Sequence, residues 1–161
     1  MADRPFSHLD ASGRARMVDI GAKPETEREA VARGRVVMRP ETLELVRRGQ
    51  VAKGDVLAVA QVAGVMAAKR TPELIPLCHP LLINAVEMRF AFNDELSAVE
   101  IEAAVRVNGR TGAEMEALTA VAVAALTVYD MCKGVDPAIR IEAVRLARKR
   151  GGKSGEVVLE P

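Results

Sequence analysis

Residues 83–107 read INAVEMRFAFNDELSAVEIEAAVRV, and this stretch decides the fold class of the chain. In residues 98–107 every second side chain is apolar, and Glu100, Glu102 and Arg106 lie between them. This period of two is typical of a half-buried strand. Residues 83–92 form a second strand candidate, and Asn93-Asp94-Glu95 has the composition of a turn. The stretch therefore predicts an antiparallel hairpin with one face on a core.

Helical patterns flank this hairpin on both sides. Before it, residues 54–70 are rich in Ala and Val and end in Lys69-Arg70, as a helix dipole favours. After it, residues 113–133 form the longest helical pattern, which begins with Glu114 and Glu116 and ends before Gly134. The sequence therefore predicts two main helices.

The rest of the chain supplies shorter elements. Strands are predicted over residues 14–20, 29–38, 139–147 and 157–159, and a short helix from Pro40 to Gly49. Three prolines exclude a single helix over residues 71–82. This order predicts an α+β fold, a ferredoxin-like antiparallel sheet with two main helices packed on one face. Residues 14–161 are expected to form one domain, and the polar residues 1–13 are expected to form a mobile N-terminal arm.

Composition excludes several classes of function. The chain has 161 residues and a net charge of +1, so no basic field favours nucleic acid or an acidic membrane. It has no Trp and one Tyr, which argues against base-stacking platforms. No signal peptide or membrane-spanning segment is expected. Cys78 and Cys132 lie far apart in apolar segments, which indicates reduced thiols in a cytoplasmic protein.

Charged residues at the two ends of the long helix are candidates for chemistry. Glu116 and Asp130 share a helix face but lie about 21 Å apart along the axis. Asp130 and Lys133 have the i,i+3 spacing of an ion pair. The plain interpretation is helix-end charges and a surface pair. If both ends serve one compact site, a second subunit must bring them together.

Other candidates are less specific. Lys53 precedes a predicted helix start, where it is either a surface lysine or part of an anion site. His79 lies between Pro76 and Pro80, in either a structural or an acid–base role. A phosphate-loop interpretation of Gly152-Lys153-Ser154 fails because no helix follows. The basic residues from Arg145 to Lys153 are most simply a solvated tail.

Several motif blocks occur in order along nearly the whole chain and resemble one family, molybdenum-cofactor biosynthesis protein C, the cyclic pyranopterin monophosphate synthases. The blocks are His8-Leu9-Asp10, Met17-Val18-Asp19, Lys53-Gly54-Asp55-Val56, Ala67-Ala68-Lys69-Arg70-Thr71, residues 74–81 (LIPLCHPL), residues 111–119 (TGAEMEALT), residues 129–133 (YDMCK) and residues 151–155 (GGKSG).

The resemblance implies an activity and an assembly. Members of this family convert 3′,8-cyclo-7,8-dihydro-GTP, the product of a radical-SAM GTP cyclase, to cyclic pyranopterin monophosphate with release of pyrophosphate. The enzyme is a lyase of the phosphorus–oxygen type. The expected assembly is a homohexamer, a trimer of dimers with sites at the dimer interface. No protein cofactor is expected, although Mg²⁺ could accompany the triphosphate, and no metal site is expected.

The resemblance also implies residue roles. The catalytic residues it implies are Asp130, Lys133 and Lys53, and we add His79 as a candidate proton shuttle. The resemblance places Leu77, Cys78, His79, Met115 and Glu116 at the substrate. We add Glu114 to this substrate-binding set, together with Lys69, Lys149 and Lys153 as the cations expected near the phosphates. Two other functions stay open here: a non-catalytic nucleotide or pterin-binding module that regulates a partner, and a structural assembly subunit.

Overall fold

The computed structural model describes residues 12–160. The arm predicted over residues 1–13 lies outside the described residues, apart from its last two. In chain order the elements are β1 (Thr26–Val37), α1 (Pro40–Arg47), α2 (Val56–Lys69), α3 (Thr71–Leu74), β2 (Ile83–Asn93), β3 (Ala98–Gly109), α4 (Glu114–Cys132), β4 (Arg140–Arg150) and β5 (Glu156–Val158).

The five strands form one antiparallel sheet in the order β2-β3-β1-β4-β5. The predicted hairpin is confirmed as β2 and β3, with Phe90 opposite Ile101 and Met88 opposite Ala103. The first four strands and the two long helices give the β-α-β-β-α-β order of a ferredoxin-like fold. The predicted α+β architecture is confirmed.

Small residues set the spacing of the helix layer. α4 lies over β1, β3 and β4, and α2 lies beside α4 and over β2. At Gly64 of α2 a side-chain Cβ would lie 3.2 Å from the carbonyl oxygen of Ala120 in α4 and 2.7 Å from Cε of Met88. Glycine at this position therefore lets the two helices and the sheet pack closely.

α4 is a core helix. Its 19 residues are apolar enough to cross a membrane by length and composition alone. Ten of them are buried against α2 and the sheet, including Ala117, Val121 and Val128. Core helices commonly have this composition, and here most of the apolar residues pack inside the domain.

The structure corrects the predicted strand over residues 14–20. Only Ala15 there makes a bridge. Arg14, Arg16 and Asp19 leave too few apolar residues to bury a strand face. Val18 and Ile20 instead line a cavity near the start of α4.

The structure also corrects the solvated-tail interpretation of the basic residues. β4 extends to Arg150, three residues beyond its predicted end. Arg148 pairs with Glu29 at 2.8 Å and Arg150 pairs with Glu27 at 3.2 Å, both across the sheet to β1. The basic side chains thus match acidic side chains on the neighbouring strand.

Candidate functional site

α4 places two groups of candidate residues at its opposite ends. Glu114, Met115 and Glu116 lie in its first turn, and Asp130 lies in its last. At 1.5 Å per residue, Glu116 and Asp130 are about 21 Å apart along the axis. Within one chain, the predicted site residues at the two ends of α4 therefore form two separate groups.

The group at the C-terminal end of α4 is an ion-pair cluster of Lys53, Asp130 and Lys133. Lys133 Nζ lies 2.6 Å from Asp130 Oδ1, so the predicted i,i+3 pair is confirmed. Lys53 Nζ lies 2.9 Å from Asp130 Oδ2 and donates to the Asp130 carbonyl oxygen at 2.8 Å. The cluster holds two cations and one carboxylate, and about half of each side chain is exposed.

The sequence around Lys53 explains how it reaches Asp130. Asp55 is the N-cap of α2, and its side chain accepts a hydrogen bond from the Ala58 N–H at 3.0 Å. Lys53 thus lies before the N-cap of α2. Its positive charge is outside the first turn of α2, where it would oppose the helix dipole. Its ammonium group satisfies the Asp130 carbonyl near the C-terminal end of α4, where a cation is favourable.

Hydrogen bonds within the cluster fix its protonation. Those from Lys133 and then Lys53 lower the pKa of Asp130 to about 2. The hydrogen bond to Asp130 in turn raises the pKa of Lys133. At neutral pH Asp130 is therefore an anion and Lys133 is a cation. Lys133 therefore holds its proton more tightly than a free lysine does, and Asp130 is a weaker base than a free carboxylate.

The group at the N-terminal end of α4 surrounds a cavity of about 360 Å³, here named the α4 cavity. It is lined by residues of three segments: Val18, Ile20, Lys23, Ile75, Leu77, Cys78, His79, Thr111, Gly112, Met115 and Glu116. Five of these belong to the predicted substrate-binding set. The lining combines apolar walls with a few polar groups, as small-molecule sites do.

Glu116 is the buried charge of the α4 cavity. It is 2% exposed, and burial raises the pKa of its carboxyl, with a further contribution from the charge of Glu114. Burial, and then the charge of Glu116, raises the pKa of the Cys78 thiol. Cys78 therefore lines the cavity as a neutral thiol, unlike the thiolate that a nucleophilic cysteine requires.

A second cavity of about 710 Å³, here named the cation pocket, adjoins the first and shares Lys23 and Thr111 with it. Its lining is Lys23, Pro24, Thr26, Arg28, Arg110, Thr111, Gly152, Lys153 and Ser154. Four of these residues are cations, and they come from three segments of the chain. No carboxylate belongs to the lining, so the pocket suits a polyanion such as a phosphate chain.

Two glycines let the loop after β4 close over Arg28. Gly151 and Gly152 have φ values of +103° and +67°. A Cβ on Gly152 would lie 2.3 Å from Nη1 of Arg28, and one on Gly151 would lie 2.2 Å from the carbonyl oxygen of Glu27. The backbone of residues 151–155 thus approaches the pocket wall as only glycine permits. β5 follows this loop, so the rejection of a phosphate-loop motif is confirmed.

Comparison with known proteins shows the family of the chain. The family model described as MoaC family matches residues 17–152. This range includes both ends of α4 and most of the cation pocket. The chain belongs to the MoaC family. The resemblance seen in the motif blocks is therefore confirmed.

Curated relatives match the chain over nearly its whole length. A cyclic pyranopterin monophosphate synthase of Roseiflexus castenholzii is 62% identical over 155 residues, which cover 96% of this chain and 98% of the relative. Proteins of the same name from Pelotomaculum thermopropionicum and Thermomicrobium roseum are each 64% identical over 150 residues. These matches cover 93% of this chain and 88% and 90% of those relatives.

The structure places the remaining predicted residues of this MoaC-family chain in different surroundings. Lys149 Nζ lies 2.9 Å from Glu114 Oε1, so these two candidates pair with each other at the start of α4. Lys153 lines the cation pocket. Lys69 is exposed at the end of α2 and lines neither cavity, so its contact with phosphate stays a prediction.

Sequence reasoning missed three cations of the pocket: Lys23, Arg28 and Arg110. Arg28 donates to the carbonyl oxygens of Gly109 and Arg110 at 2.9 and 3.2 Å. These contacts depend on the pairing of β1 with β3, which sets Thr26 opposite Gly109. One signal in the sequence could have indicated Arg110. Gly109 and Gly112 flank Arg110-Thr111 directly before a predicted helix. Among residues 12–160, no group of three or more metal-ligand side chains lies close enough to hold a metal ion.

Proposed function

We propose that this chain converts 3′,8-cyclo-7,8-dihydro-GTP to cyclic pyranopterin monophosphate and releases pyrophosphate. The observation that carries the proposal is the identity of about 60% with cyclic pyranopterin monophosphate synthases over almost the full chain. The chain is thus an enzyme of molybdenum cofactor biosynthesis that acts on a small molecule. The two adjoining cavities fit such a substrate, which has a fused ring system at one end and a phosphate chain at the other.

In this proposal the ring system occupies the α4 cavity and the triphosphate occupies the cation pocket. Cys78, His79, Met115 and Glu116 give the ring a mixed apolar and hydrogen-bonding surface. Lys23, Arg28, Arg110 and Lys153 face the phosphate oxygens. Formation of the cyclic phosphate needs a sugar hydroxyl to attack the α-phosphorus while pyrophosphate leaves. Charge neutralisation and positioning are the main requirements of that step.

The ring rearrangement needs groups that give and take protons. The Lys53–Asp130–Lys133 cluster supplies two ammonium groups held by one carboxylate. We assign proton donation to Lys133 and Lys53, and orientation of both lysines to Asp130. His79 lies in the α4 cavity, where it can transfer protons to and from the ring. Lys133 can act as a base only after it has lost a proton to substrate.

A complete site requires a second copy of the chain. The cluster and the α4 cavity are about 21 Å apart in one chain, which exceeds the reach of one nucleotide ring system. A two-fold axis that sets α4 antiparallel to its counterpart brings the cluster of one copy to the cavity of the other. In that arrangement the excess cation of the cluster meets a cavity that is lined by Glu116 and Lys23.

The outer face of α2 is the surface that we assign to this contact. α2 is apolar all round, and Val59, Val62 and Met66 are 46%, 59% and 48% exposed. Leu126 of α4 is also exposed, at 56%. Helices that are apolar on every side are normally covered. A second copy covers this patch in a dimer, and three dimers would form the expected hexamer.

The contact surface has a direct test. Val62→Asp places a charge in the middle of the patch and should dissociate the dimer, with loss of activity. Leu96→Asp is the matched control, because Leu96 is 45% exposed at the β2–β3 turn, away from α2. Sedimentation velocity should show a smaller species for Val62→Asp alone. An unchanged assembly for this variant would contradict the assignment.

Three further parts of the proposal follow from the resemblance. A radical-SAM GTP cyclase supplies the substrate, and the reaction takes place in the cytoplasm. Mg²⁺, where it takes part, is held chiefly by the triphosphate oxygens. Added EDTA should then weaken binding of the triphosphate without unfolding the protein.

The assay for the proposal measures pyrophosphate and cyclic pyranopterin monophosphate formed from the cyclised nucleotide. We expect stoichiometric amounts of both products from the purified protein. Tight binding of the nucleotide without product would support a regulatory binding module instead. Product formation that is unaffected by Lys133→Ala, Lys53→Ala and His79→Ala would contradict the residue roles.

A further inference from the structure

Asp136 is a fully buried acidic residue outside both groups described above. It is 0% exposed and follows the end of α4 by four residues. Its Oδ2 accepts a hydrogen bond from the Arg39 N–H at 2.8 Å, and its Oδ1 accepts one from the Ala138 N–H at 3.1 Å. The Arg39 guanidinium lies 3.3 Å from Oδ1, and the side chain of Thr42 gives a further hydrogen bond. A buried carboxylate with this many donors is held in one position.

These contacts attach Asp136 to the start of a helix to which it does not belong. Arg39 is the N-cap residue of α1, and its own side chain makes no capping bond. The carboxylate of Asp136 accepts from the backbone N–H of the N-cap residue itself, as an N3 side chain does in a capping box, at the end of the helix that favours a negative charge. The start of α1 is thereby fastened to the turn after α4.

The two elements that meet at Asp136 are the end of α4, which carries Lys133, and α1, which leads into the loop that carries Lys53. Lys133 is the C-cap of α4, and the Asp136 N–H bonds to the Cys132 carbonyl oxygen at 3.1 Å, directly beside it. Lys53 lies in the loop that connects α1 to α2. Asp136 thus connects the element that carries Lys133 with the one that leads to Lys53.

We infer that Asp136 is a positioning residue for the reaction: it sets the distance between Lys53 and Lys133 across Asp130. The inference rests on the proposed function. It assigns Asp136 no contact with substrate. Loss of its bonds to Arg39 lets the start of α1 move relative to the end of α4, and the two lysines lose their common geometry about Asp130.

Asp136→Asn tests the inference with little change of shape. The amide replaces one acceptor oxygen by an NH₂ donor that faces an existing N–H donor, so one bond is lost. We expect kcat to fall on the order of 10²-fold, as for a displacement of about 1 Å in a catalytic group. Binding of inorganic triphosphate, the probe of the cation pocket, should stay as in the wild type, because that pocket lies at the other end of α4.

Asn93→Ala is the matched control for lost stability. Asn93 is the last residue of β2, its Oδ1 accepts from the Leu96 N–H at 3.0 Å, and it belongs to neither group. This variant should lower the melting temperature and leave kcat unchanged. Wild-type kcat in Asp136→Asn would overturn the inference. An equal loss of kcat and triphosphate affinity would also overturn it, because it would indicate damage to the whole fold.

Two further measurements keep the test decisive. Thr42→Val removes one contact of Asp136 and should give a smaller loss of kcat with intact triphosphate binding; an unchanged kcat counts against the inference.

In co-expressed mixtures, Asp136→Asn should recover activity with Glu116→Gln but not with Lys133→Ala. Recovery with Lys133→Ala would overturn it. A wild-type protein without turnover would instead refute the proposed function.

Discussion

The two ends of α4 differ in kind. The N-terminal end has a cavity, a buried carboxylate and an apolar lining, and the cation pocket adjoins it. The C-terminal end has no part in either of these cavities, and its Lys53, Asp130 and Lys133 side chains are half exposed and paired with one another. One end has the shape to bind a molecule, and the other has charges suited to proton transfer. We infer that neither is a site by itself.

Lys133→Ala should have the largest effect on this division of roles. Loss of a proton donor typically lowers a rate by about 10²–10⁴-fold. The melting temperature should hardly change, because the side chain is half exposed. Product formation and inorganic triphosphate affinity are the two readouts. An equal loss of triphosphate affinity would contradict the assignment of separate roles to the two ends of α4.

Gly152→Ala tests the binding end through its backbone. A methyl group there requires a strained φ of +67° and meets the guanidinium of Arg28 at 2.3 Å. We expect a loss of about 1–3 kcal/mol in the free energy of unfolding and weaker triphosphate binding. Denaturant unfolding and titration calorimetry measure the two quantities. Unchanged affinity would show that the loop does not shape the pocket.

Lys153→Ala and Lys69→Ala separate two lysines that the sequence alone groups together. Lys153 lines the cation pocket, whereas Lys69 does not. Removal of a charged hydrogen-bond donor to phosphate should cost about tenfold in affinity, and we expect the larger loss for Lys153. Calorimetric titration with inorganic triphosphate gives both values. A larger loss for Lys69 would restore the prediction made from sequence and argue against the pocket.

The smallest predicted effect concerns the protonation of Asp130. Its pKa is about 2 because Lys133 and Lys53 stabilise the charged form. A lowered pKa stabilises the fold above the unfolded value, and this contribution is lost as the pH falls toward 2. In Lys133→Ala the pKa of Asp130 should rise, and its protonation should begin at higher pH. Carboxyl NMR titration measures the shift; an unchanged pKa would refute the assigned cause.

The fold was predictable from sequence where residue periodicity is strong. The alternation in residues 98–107 predicted the hairpin, and the small-residue pattern of α2 predicted a helix. Burial of one face of an element makes its apolar residues recur at a regular spacing. The end of β4 was missed because Arg148 and Arg150 look like surface residues until Glu29 and Glu27 are placed opposite them.

The site was predictable only in part. The motif blocks identified Asp130, Lys133, Lys53 and the lining of the α4 cavity by resemblance. Arg28 and Arg110 were missed because their approach depends on strand register, which sets Thr26 opposite Gly109. The positioning role of Asp136 depends on contacts between residues 97 positions apart. No local pattern in the sequence records such a contact.

The composite site is the central claim, and mixed assemblies of Glu116→Gln and Lys133→Ala test it most directly. Each variant damages a different end of α4, so each should be inactive by itself. If two copies share each site, about half of the dimers in an equal mixture are mixed, and each of these keeps one intact site. Pyrophosphate release should then recover to about a quarter of the wild-type rate. Activity no greater than that of the separate variants would contradict the claim.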